Sequence, residues 1–110
     1  MGREIIHQPR LAFDGARGFV AGVECDGVYP WLRRRVAELL GPAYGEALAD
    51  SRRLVLALER DDAPLVEAAK WRVRLEDALR RRPELAPDLL ALAADLAFRM
   101  TAPRNAAGRG

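Results

Sequence analysis

Between residues 44 and 100 the chain is cut by prolines and glycines into pieces, each carrying large apolar residues at three- and four-residue steps. That is the period of one helix face. Gly41-Pro42 opens the run, Asp61-Asp62-Ala63-Pro64 divides it, and Pro83 with Pro87 divides it again. Proline lacks the amide hydrogen that a helix interior needs, so each piece starts or stops at its own punctuation. The pattern predicts an all-α fold, a small bundle of three to four helices.

Pro30 suits a first helical turn, where its missing N–H costs nothing. The helix that follows, over 31–40, buries Leu32, Val36, Leu39 and Leu40 and stops at Gly41. A second helix over about 43–60 carries Leu48, Val55 and Leu58 on one stripe with Leu54 beside it. A third, over about 64–82, has Asp62 available as its cap and a face of Leu65, Ala68, Trp71, Leu75, Ala78 and Leu79. The short joint between these two predicts an antiparallel helical hairpin. The last helix, over about 84–100, places Leu85, Leu89, Leu92, Leu96 and Met100 on one stripe, with alanines on its flanks. Residues 29–100 therefore read as one helical domain, and the Gly/Ala/Arg stretch 101–110 as a disordered tail.

The first 28 residues are poorly defined. Glu4-Ile5-Ile6-His7 suits a short strand or a docking segment, because Pro9 stops it from continuing as a helix. Ala16, Phe19, Val20 and Val23 fall at helical spacing, and Gly18 with Gly22 would let another helix approach closely. Each glycine costs such a helix about 1 kcal/mol relative to alanine. The alternative is a hairpin pairing 11–13 with 19–24. The helix is favoured because an isolated two-stranded hairpin is marginally stable.

Seventeen of the eighteen basic residues are Arg, and alanine supplies twenty residues. An arginine excess suits phosphate recognition, yet joint Ala and Arg enrichment is also what GC-rich codons produce. Sixteen carboxylates interleave with the arginines and leave a net charge of only +2. A nucleic-acid surface needs segregated charge, so the genomic reading weighs more. Cys25 stands alone and His7 is the only histidine. No internal disulfide is possible, which fits a reducing cytoplasm, and no apolar run is long enough for a membrane span.

Chemistry-bearing patterns are sparse. No zinc-protease helix, calcium loop or phosphate-cradling glycine loop is present. A Cys25–His7 nucleophile pair would need the N-terminal segment to fold back on the chain. Asp61-Asp62 reads as turn and cap, and Glu76-Asp77 as a solvated face. No metal, cofactor or small-molecule substrate is expected, and no catalytic residue is assigned. Six guanidinium groups, Arg33, Arg34, Arg35, Arg80, Arg81 and Arg82, would contact anions if they shared one surface. Successive residues lie about 100° apart around a helix, so each triplet faces several directions. Trp71, with Leu75, Leu79, Leu89, Leu92 and Leu96, makes the best candidate for an apolar partner-binding face, because a small bundle can leave one face partly uncovered.

The stretch Trp31-Leu32-Arg33-Arg34-Arg35-Val36-Ala37-Glu38-Leu39-Leu40-Gly41 resembles an element of small Ala/Arg-rich proteins from high-GC actinobacteria. So does Trp71-Arg72-Val73-Arg74-Leu75, followed by Leu79 and Pro83-Glu84-Leu85. Some of those proteins are similar to the small components encoded beside caspase-like effectors in bacterial conflict systems, the CATRA-associated small proteins. Pro30 beside Trp31 departs from the uninterrupted helix of that pattern. The resemblance implies a non-enzymatic adaptor that binds a protein partner or itself. The competing expectation is a nucleic-acid-associated regulator or antitoxin that uses the two arginine triplets.

Overall fold

Pro9 stands in the first turn of a helix, and residues 6 and 7 before it are not helical. In the computed structural model of the protein, which describes residues 6–57 and 59–108, helix α1 spans Gln8–Val23 with a proline in its first turn. His7 caps it, its Nδ1 accepting the Arg10 amide hydrogen at 3.1 Å. The segment that reads as ambiguous in sequence is thus a four-turn helix, and the described residues contain no strand. Glu4 and Ile5 of the expected N-terminal strand, and Leu58 of the second stripe, lie outside the described residues.

Four further α-helices follow: α2 (Tyr29–Leu40), α3 (Pro42–Leu56), α4 (Ala63–Arg81) and α5 (Ala86–Gly108). A 3₁₀ turn, Pro83–Leu85, joins the last two. Among the described residues the count of α-helices is five, because α1 joins the four placed by the prolines. Gly41, at φ 115°, makes the α2–α3 corner in a backbone conformation that a side chain would strain. Helix α3 stops at Leu56, a turn short of the expected end near residue 60. Asp62 does stand at the start of α4, but its carboxylate does not cap the helix. Both of its oxygens accept from the Arg60 guanidinium at 2.9 Å instead. Helix α5 continues to Gly108, into the stretch expected as a tail.

Helix α1 lies at the centre. It packs chiefly on α4 and also touches α5, α3 and α2, while α2 packs on α3. Gly15 approaches Leu75 and Phe19 approaches Trp71, so α1 and α4 run antiparallel. The glycine pair works as its spacing predicts. A methyl group on Gly18 would lie 3.2 Å from the Leu96 side chain, and one on Gly22 would lie 2.7 Å from Leu32. These glycines let α5 and α2 seat directly on the α1 backbone. The α3–α4 contact exists but is minor, because α1 takes the larger share of the α4 apolar face.

Trp71 is the largest fully buried side chain. Its ring meets Phe19 edge-on, with centroids 5.3 Å apart, and Arg74 lies over it at 4.9 Å. Its indole N–H donates to Ser51 Oγ at 2.8 Å, and Ser51 donates to Glu67 Oε1 at 2.7 Å. Lys70 closes the chain on Glu67 Oε2 at 3.0 Å. Ser51 and Glu67 are both buried, and this network satisfies polar groups that would otherwise destabilise the interior. At the α1–α2 corner, Arg52 donates to the Val23 carbonyl and to Asp26, both at 2.6 Å, and lies over the Tyr29 ring. It ties the turn to α3.

Candidate functional site

An apolar groove lies between α1 and α4. On α1 and its C-terminal cap, Phe13, Ala16, Arg17, Val20, Ala21 and Glu24 follow one another at helical steps along a single side. Leu65, Ala68, Ala69 and Arg72 do the same on α4. Two helices that pack through their core faces leave a channel where their neighbouring stripes diverge, and alanines on those stripes do not fill it. The result is a groove of about 520 Å³. Leu65 is 75% exposed and Phe13 42% exposed, so both project large apolar surface at its rim. Because the helices are antiparallel, Leu65 belongs to the Glu24 end of the groove and Phe13 to the other.

Two of the charges here lack an ion-pair partner among the described residues, as Arg34, Arg74, Glu59, Asp61 and Asp88 also do elsewhere. Arg17 lies over the Phe13 ring at 5.7 Å, and among the described residues it pairs with no carboxylate. Glu24 likewise pairs with no cation among the described residues. Arg72 is held by Glu76 at 3.9 Å. A second groove, of about 570 Å³ between the start of α1 and α5, is different, because its charges Arg10 and Asp14 close on each other at 3.1 Å.

The apolar face expected from sequence is elsewhere. Trp71, Leu75, Leu79, Leu89, Leu92 and Leu96 are each at most 2% exposed. They form the core and offer no surface to a partner. The reason is α1, whose glycine and small-residue face covers α4 and α5, so the stripe that a three-helix arrangement would leave open is closed. Leu65, assigned to the core face of its helix, is instead the most exposed of the large apolar residues described.

The arginine triplets are largely neutralised. Arg33 reaches Glu46 at 3.1 Å, and Arg35 reaches Glu38 at 3.8 Å. Arg80 and Arg81 share Asp77 at 3.3 and 2.9 Å, and Arg82 reaches Glu84 at 3.7 Å. Only Arg34 of the six pairs with no carboxylate among the described residues. The first triplet sits on α2 and the second at the end of α4 and just beyond it.

Candidate chemistry is no denser in three dimensions. His7 and Cys25 stand at opposite ends of α1, a helix of 16 residues and so about 24 Å long, which keeps the two from forming a pair. Ser51 and Glu67 touch, but their contact is sealed in the core. No three His, Cys, Asp or Glu side chains among the described residues converge for a metal. The clear electrostatic perturbation is at the α3–α4 joint, where hydrogen bonds from Arg60 hold the Asp62 carboxyl below its ordinary range and Asp62 raises Arg60 in return. No helix among the described residues is long and apolar enough to cross a membrane.

Sequence reasoning missed Phe13, Arg17, Glu24 and Leu65 as a group. A signal was present: Phe13, Arg17, Val20 and Glu24 follow a second helical stripe beside the core stripe of α1. It becomes readable only once the segment is known to be a helix. Compared with family models, curated proteins and solved structures, the chain matches none.

Proposed function

We propose that this protein is a non-enzymatic helical interaction module that receives an α-helix of another protein molecule in the α1–α4 groove. One observation carries the reading: the groove combines exposed Phe13 and Leu65, a floor of small residues and two charges without ion partners among the described residues. Helix-in-groove recognition uses apolar anchors at helical steps, flanked by charges that set orientation. The alternative, a nucleic-acid regulator, draws less support, since five of the six triplet arginines already pair with carboxylates. Contacts to phosphates would have to displace those pairs.

The test is a photo-reactive amino acid placed at Ala69 in the groove, with Arg34 on the surface of α2 as the control position. Illumination in the native host should give protein adducts at position 69 that position 34 does not give. The same adduct pattern at both positions, or no protein adduct at position 69, would overturn the proposal. Heparin retention that falls steeply with salt would favour the nucleic-acid alternative.

A further inference from the structure

We infer that the occupant of the α1–α4 groove is a second copy of this chain, with the two α1 helices antiparallel about a twofold axis at the Val20–Ala21 junction. The inference rests on the groove being a docking site and adds what fills it. A twofold interface brings one patch against itself, so the patch must be self-complementary. Arg17 and Glu24 meet that condition. They stand on the groove side of α1, equally far before and after Val20–Ala21 and two helical turns apart, about 10 Å. Neither has an oppositely charged partner among the described residues, although many other charged side chains do. In the antiparallel arrangement each Arg17 faces the Glu24 of the other copy, and both charges are satisfied twice over by symmetry.

The same charges reject the neighbouring arrangements. A parallel pairing sets Arg17 against Arg17 and Glu24 against Glu24. An antiparallel pairing centred one turn earlier sets the two Arg17 side chains on the axis. Like charges opposed in this way disfavour wrong registers more strongly than a rim pair favours the right one. The apolar ends of the groove obey the same symmetry. Phe13 lies a turn before Arg17, so it reaches past the other copy's Glu24 towards the end that holds Leu65. At the axis, the exposed Ala21 is small enough for close helix approach, while Val20 beside it belongs to the core. A single helix pair of this kind buries less than a standard interface, so the dimer is a dissociable one.

Sedimentation velocity from micromolar to millimolar concentration reads the result. The unmodified protein should pass from monomer to dimer across that range. Arg17→Glu and Glu24→Arg should each weaken association about tenfold or more, and the double charge reversal Arg17→Glu/Glu24→Arg should restore it to within a few-fold. Both positions of the cycle are exposed in the monomer, and the milder Arg17→Ala and Glu24→Ala should weaken the dimer in the same direction with an unchanged circular dichroism spectrum. A protein that stays monomeric throughout, single reversals without effect, or a double reversal that does not recover each overturns the second copy. The photo-adducts at position 69 separate this from failure of the groove itself. Adducts with a different protein and none with this chain sink the dimer and leave the groove, whereas no adduct at all sinks both.

Discussion

Ser51→Ala removes a single oxygen from the interior and should cost more than its size suggests. Its hydroxyl accepts from Trp71 Nε1 at 2.8 Å and donates to Glu67 Oε1 at 2.7 Å. Without it the indole N–H has no partner in a residue that is 0% exposed, and Glu67 keeps only the Lys70 contact at its other oxygen. A buried donor or acceptor left unmade costs about 1–3 kcal/mol, while the lost methylene-sized volume adds little. Two such groups give roughly 2–6 kcal/mol, a large share of the ~5–15 kcal/mol typical of a domain this size. At about 2.1 cal/mol/K per residue the entropy of unfolding converts this into a fall in Tm of roughly 9–26 °C. Thermal melts followed by circular dichroism measure it, and Trp71 fluorescence reports the change at the indole. Trp71→Phe discards the N–H together with its need, so the double variant should lose clearly less than the sum of the two singles. A Ser51→Ala loss below about 1 kcal/mol, or strict additivity in the cycle, would refute the claim that the network holds the core.

The remaining expectations use the surface and the joints. Arg52→Met should cost about 1–2 kcal/mol in urea unfolding with an unchanged m value. It deletes the Val23 carbonyl bond and the stacking on Tyr29, while the exposed Asp26 pair contributes little. No measurable loss would mean that the α1–α2 turn does not depend on this anchor. Leu65→Ser should leave stability within about 0.5 kcal/mol, since that side chain is already in solvent; a larger fall would show that it packs in the monomer. The Asp62 carboxyl should titrate below an ordinary aspartate by carbon-detected NMR, because Arg60 favours its ionised form. Its pKa is lowered on folding, so its contribution is present at neutral pH and fades as pH falls through the folded-state value. An ordinary or raised pKa would contradict that geometry, and the contribution is small because the pair is exposed.

Much of the fold was legible because proline and glycine act locally. Pro30, Gly41-Pro42, Pro64 and Pro83 mark starts and stops that depend only on backbone sterics and a missing donor, and α2 to α5 begin close to them. The stripes were legible for a related reason. Leu32, Val36, Leu48, Leu75 and Leu92 repeat at the period of a helix, and all five are buried. The end of α3 was less visible, since nothing in Leu56-Ala57 breaks a helix on its own.

Residues 8–23 were hard to read because three glycines lower intrinsic helix propensity, and their value lies in other helices. Gly22 has no local reason to be glycine; Leu32 and Leu96 supply one only after the chain has folded. The error about the site followed from that. With α1 undefined, the leucines of the last helix lack a cover. Once α1 lies over α4 and α5, those leucines are interior and the unsatisfied surface moves to Phe13, Arg17, Glu24 and Leu65.

The sequence by itself determined the helical class, most helix boundaries and which residues repel water. Periodicity and proline chemistry act within a few residues and need no knowledge of the rest of the chain. Only the tertiary structure decided which apolar stripes face inward, that Ser51, Glu67 and Trp71 meet, and that a groove opens between α1 and α4. Those outcomes depend on which helix covers which. That choice is made by close backbone approach at Gly15, Gly18 and Gly22, between residues far apart in the chain.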